Sequence, residues 1–193
     1  MQTVKGTSLE LTVELVRKRH GEEGIRELRA ALPSDVRDAL PEDLRVLPTT
    51  PYPFRTWAEV LLAAEERFGK PMSIARESAR VGYRTLLVTT YANWVRKGQP
   101  LDSVRRLPLL WEQVTKGLGT YEVMERDPSS VIIRLRLDVD ARYRAITEER
   151  CAGVVEAMVE ASGGRARVRL AREADHTDLE VTLRGSTMVP AAS

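Results

Sequence analysis

The chain reads as an α+β fold, an N-terminal helical part packed with a C-terminal β-β-α-β-β antiparallel sheet unit. Apolar residues recur with helical period through residues 7–117, and strict period-two alternation takes over in 119–185. There, strands at 121–126, 131–139, 165–172 and 179–184 flank a helix at 147–162. A chain of 193 residues can build one good core, so a single domain over 1–185 is expected, with 186–193 as a flexible tail.

Thr7-Ser8-Leu9-Glu10 has capping-box spacing, and Leu9, Val13 and Val16 share one face of the helix it opens, which stops at Gly21. A second helix starts at Glu22 and Glu23, turns Ile25, Leu28 and Leu32 inward and ends at Pro33; Ser34 caps a short third one through Leu40. Four prolines in 41–53 predict an extended surface connection. Thr56-x-x-Glu59 repeats the capping-box spacing for a central helix ending at Gly69. Ser73 caps a short helix to Val81, Gly82 breaks it, and 83–97 follows as another. Asp102 caps the next stripe, which Pro108 should kink or split.

In 131–139 the odd positions are apolar while Arg134, Arg136 and Asp138 take the other face, and Asp127-Pro128-Ser129-Ser130 is good turn chemistry before it. The last two strands alternate the same way. The predicted sheet therefore has one apolar face and one basic face, built from Arg134, Arg136, Arg165, Arg167, Arg169 and Arg184. A solvated surface or a docking face for an acidic partner both fit this pattern.

Composition is ordinary for a globular protein: 42% apolar, 30% charged, 30 basic against 28 acidic residues. That balance gives no reason to expect nucleic acid as a partner. One cysteine, Cys151, leaves no internal disulfide, and it falls on the last helix as a small buried hydrophobe. No leader and no apolar run approaching about 18 residues is present, so a cytoplasmic location without membrane insertion is expected.

No catalytic set emerges. His20 sits at a helix end and His176 in a predicted turn, neither with a partner at metal-ligand spacing, so no metal is expected. Gly163-Gly164 follows a helix and precedes a strand, the reverse of a phosphate-binding order. The aromatic set Trp57, Phe68, Tyr83, Tyr91, Trp94 and Trp111 lies on neighbouring helices, where it either lines an apolar ligand pocket or fills the core.

Lys5-Gly6-Thr7-Ser8, Arg19-His20-Gly21-Glu22-Glu23-Gly24, Tyr52-Pro53 and Leu107-Pro108-Leu109-Leu110-Trp111, in this order before the β-β-α-β-β unit, resemble a family of proteins of about this length expanded by paralogy in myxobacteria. That family is similar to 4-vinyl reductase and haem-nitric-oxide-binding sensory domains. The resemblance spans 4–184 and implies a compact α+β domain for small-molecule sensing or protein contacts, often as a dimer. Haem-binding relatives use a helical proximal histidine and a Tyr-x-Ser-x-Arg clamp, whereas this chain has Tyr91-Ala92-Asn93-Trp94 and no histidine there. The hairpin cysteines of other relatives are missing from 171–178. The resemblance therefore implies a non-enzymatic signalling or regulatory domain, without cofactor, binding a small apolar ligand or a protein partner. The alternative is a homodimeric interaction scaffold with no small-molecule ligand.

Overall fold

The computed structural model describes residues 2–70 and 73–184; the expected tail at 186–193 lies outside them. In chain order the elements are β1 (Thr3–Lys5), α1 (Gly6–Ala31), α2 (Ser34–Asp38), β2 (Pro51–Pro53), α3 (Phe54–Phe68) and α4 (Ile74–Val88). A 3-10 turn at Ala92–Trp94 leads to α5 (Pro100–Val104), α6 (Leu107–Val114) and β3 (Thr115–Lys116). Then come β4 (Gly119–Asp127), β5 (Ser130–Leu137), α7 (Ala141–Ala161), β6 (Ala166–Arg172) and β7 (Thr177–Leu183). The four C-terminal strands form one antiparallel sheet in the order β4-β5-β7-β6, as the α+β reading requires.

A second, three-stranded sheet of order β2-β1-β3 was not expected. Its strands are two or three residues long, too short to show alternation, and the prolines of β2 fit because β2 is an edge strand.

Several helix boundaries differ from the sequence expectation, each for an identifiable reason. The expected break at Gly21 is present: its φ of 65° and ψ of −163° are non-helical and part α1 into two helical runs joined at a kink. Neither Thr7 nor Thr56 acts as a cap. α1 begins at Gly6, the Thr7 hydroxyl donates to the Pro48 carbonyl at 2.8 Å, and the Ser8 hydroxyl is buried against Tyr83 Oη at 2.9 Å. α3 begins at Phe54, so Glu59 is an interior position whose buried carboxylate accepts from Arg142 and Tyr143. Ser34 and Asp102 likewise do not cap; Pro33 and Gln99 hold those positions. Ser73 does cap α4, accepting from the Arg76 N–H at 3.2 Å.

Gly82 does not break α4. A Cβ there would stand 2.4 Å from Leu11 Cδ2, so the glycine lets α1 approach closely. The segment expected as a helix over 83–97 instead leaves the helix after Val88 and turns. Pro108 divides its stripe into α5 and α6, as expected. α7 starts at Ala141 rather than 147, because the Asp140 carboxylate accepts from the Arg142 N–H at 2.8 Å.

Two apolar clusters fill the interior. In one, Val155, Met158 and Val159 of α7 are buried with Ile133, Leu135, Val168 and Leu179 of the large sheet. In the other, Leu9, Val16 and Leu28 of α1 are buried with Trp57 and Leu61 of α3. Each such side chain contributes about 1.5–3 kcal/mol on burial. α4 and α7 bridge the clusters by a close crossing, where a Cβ on Gly153 would come within 2.1 Å of the Arg76 carbonyl oxygen.

Candidate functional site

A largely apolar cavity of about 40 Å³ sits where these layers meet. Trp57 comes from α3, Tyr83 from α4, Trp111 from α6, Tyr121 from β4, and Arg150 with Val154 from α7. The helical part supplies one wall, and α6 with the first strand of the sheet supplies the other. Trp111 and Tyr121 pack ring on ring across that second wall, centroids 4.5 Å apart.

Arg150 is the polar anchor of the cavity. It is 4% exposed, with Nη1 donating to Thr12 Oγ1 at 3.2 Å and Ser78 Oγ at 3.0 Å, and Nη2 donating to the Ser8 carbonyl at 2.6 Å. The rings of Trp57 and Tyr83 lie 5.6 and 6.0 Å from its guanidinium carbon. Desolvation lowers its pKa. α1, α4 and α7 are thus tied together by one side chain at the cavity wall.

Beside it, burial pushes the Cys151 thiol up to about 12, and desolvation raises the Tyr121 phenol well above its ordinary value. A thiol held neutral by burial is a poor nucleophile at ordinary pH. Trp57 carries a further feature: its buried Nε1 has no hydrogen-bond partner among the described residues.

Of the six aromatic residues expected at a pocket, Trp57, Tyr83 and Trp111 line the cavity. Phe68, Tyr91 and Trp94 do not. Phe68 stacks on His20 with centroids 4.4 Å apart at the far end of α3, and Tyr91 and Trp94 follow the turn that ends α4. Tyr121 and Arg150 were missed. Arg150 had a signal, because Ile146, Arg150, Val154 and Met158 stand four apart, which puts a charged residue on the apolar stripe of α7.

On the outer face of the large sheet, Arg134 makes a bidentate pair with Asp178 at 2.9 and 3.0 Å across the β5–β7 register, and Arg136 reaches Glu122 at 3.4 Å. Among the described residues Arg165, Arg167, Arg169 and Arg184 make no ion pair. His176, in the β6–β7 turn, contacts Asp175 at 2.7 Å and Asp178 at 3.6 Å. No cluster of three or more metal-ligating side chains occurs among the described residues.

No protein-family model and no curated protein matches the chain. Solved structures do. Unliganded Fe(II) H-NOX protein from K. algicida is 12% identical, with 95% of this chain and 98% of that one covered at a TM-score of 0.69. A mutant of T. tengcongensis H-NOX is 14% identical, with 93% and 96% covered at 0.65. An oxygen-binding H-NOX domain related to soluble guanylate cyclases, in its oxygen complex, is 15% identical, with 93% and 94% covered at 0.63. These similarities show that the chain has the fold of the H-NOX domains over nearly its whole length.

Proposed function

We propose that the chain is a non-catalytic sensory domain that binds a small molecule in the cavity between its helical part and its large sheet. The observation that carries this reading is the cavity itself, an apolar space walled by Trp57, Tyr83, Trp111 and Tyr121 at the junction of the two layers. Such a position couples a ligand to the relative packing of α6, α7 and β4, which is what a regulatory domain needs. The neighbours' descriptions as Fe(II) and oxygen-binding H-NOX proteins lend the sensory reading support.

Haem does not fit the residues present. The cavity measures about 40 Å³, against roughly 300–1,000 Å³ for pockets that enclose drug-sized ligands. No histidine lines it, and His20 and His176 are engaged elsewhere. The ligand we propose is therefore small and needs no iron.

Thermal-shift and calorimetric titrations with a panel of small apolar molecules test this, run on the wild type and on Val154→Phe, which fills the cavity. A ligand at a hundred times its Kd should stabilise the wild type by about 2.7 kcal/mol and leave the filled variant unmoved. No binding to the wild type, or equal binding to both proteins, overturns the reading.

One surface supports a second role, docking of an acidic protein partner on the edge of the large sheet. Arg165, Arg167 and Arg169 lie exposed on β6 or just before it without ion pairs among the described residues, while Arg134 and Arg136 are already paired. Reversing the three β6-side arginines to Glu should abolish salt-sensitive binding of an acidic partner with the fold intact. Unchanged, salt-insensitive binding returns them to a solvated face.

A further inference from the structure

The described residues include three buried charged side chains, Glu59, Glu148 and Arg150. Two have ion-pair partners: Arg142 reaches Glu59 at 2.9 Å, and Arg172 reaches Glu148 at 2.6 Å. Arg150 has none. Its hydrogen bonds go to two hydroxyls and one carbonyl, all from Nη1 and Nη2, and none runs from Nε. A guanidinium stays charged at every ordinary pH, and a buried charge without a counter-charge is the arrangement that folded proteins most avoid. Trp57, which lines the same cavity, has a buried indole N–H without an acceptor among the described residues. Two independent donors at one apolar site are therefore under-used.

We propose that the cavity takes a small monocarboxylate, whose carboxylate pairs with Arg150 and whose apolar end packs against Trp111, Tyr121 and Val154. The proposal rests on the ligand-binding reading above and names the chemical class of that ligand. The missing counter-charge comes from the ligand, and the carboxylate is the acceptor-only group that a guanidinium fork fits best. The walls specify the remainder. Apart from Ser8, Thr115, Thr147 and Cys151 they are aromatic and aliphatic, so a dianion or a sugar acid would leave polar groups unmatched. The volume of about 40 Å³ limits the ligand to a few heavy atoms unless the half-buried Trp111–Tyr121 wall yields.

Matched acids and amides make the test, with acetate, butyrate and benzoate each measured against acetamide, butyramide and benzamide by calorimetry on the wild-type chain. Because acid and amide share a shape, their difference reads the counter-charge alone and needs no mutation. The expected result is at least tenfold tighter binding of the best acid than of its amide, with the acid lost in Val154→Phe. Arg150→Lys should keep part of that preference and Arg150→Gln should erase it, both checked for native circular dichroism because Arg150 also holds Ser8, Thr12 and Ser78. Trp57→Phe should weaken the acid severalfold more than the amide. Equal binding of acid and amide, abolished in Val154→Phe, overturns the carboxylate and leaves the cavity reading standing. Binding of neither to the wild type overturns both.

Discussion

Asp127 shows how single residues of this chain are placed by chemistry that sequence alone reveals. It accepts from the Ser129 N–H and hydroxyl at 2.8 and 2.7 Å and from the Ser130 hydroxyl, and these bonds bring its pKa down to about 2. An unfolded aspartate titrates near about 3.9, so the turn stabilises the fold above that pH and loses its contribution as pH falls toward about 2. In acid unfolding curves, the advantage of wild type over Asp127→Asn should be full above about pH 5 and decline through about pH 2, to be lost by about pH 1. The Cys151 thiol moves the other way, raised to about 12 by burial. It should resist alkylation at pH 8 in the folded protein and react fully once unfolded. The Asp127-Pro-Ser-Ser turn was legible because Asx turns are local. Glu59 was not, since its partners Arg142 and Tyr143 lie 83 and 84 residues away. Removing Arg142 leaves that buried carboxylate with Tyr143 alone, and Arg142→Ala should cost about 3 kcal/mol or somewhat less in chemical denaturation.

Elements were readable where a local rule sufficed. Alternation located β5, β6 and β7, Pro108 separated α5 from α6, and Gly163 follows the end of α7. Gly82 was misread because a helical glycine serves either as a break or as a contact, and only the neighbouring helix decides between them. Gly82 and Gly153 both sit at helix crossings, yet they should respond differently to alanine. The new methyl of Gly153→Ala meets backbone, the Arg76 carbonyl oxygen, whereas that of Gly82→Ala meets the end of the Leu11 side chain. Gly153→Ala should therefore cost about 1–3 kcal/mol. In Gly82→Ala, repacking of Leu11 should be offset by roughly 1 kcal/mol of helix propensity, leaving a smaller net change. Equal losses in the two variants, measured by denaturant titration, would show that α1 and α4 cannot adjust.

At the scale of the whole molecule, the two apolar clusters share α4 and α7, and Arg150 bonds to both α1 and α4. This linkage makes one domain the expectation, and the chain should unfold in a single cooperative step by circular dichroism and tryptophan fluorescence alike. The fold class was visible from two periodicities, but the cavity was not, because it arises where α6 and β4 close over α3, α4 and α7. Only Trp57, Tyr83 and Trp111 of the expected aromatic set converge there, and Arg150, although its place on the apolar stripe of α7 marks it, reaches the site only through the packing of α7 against α1 and α4. An apolar space of this kind takes up xenon when a small molecule can reach it. The direct measurement is a crystal structure of the protein under xenon pressure. The account predicts a xenon peak between Trp57, Trp111 and Val154 in the wild type and none in Val154→Phe, and a wild-type cavity empty of xenon would contradict it.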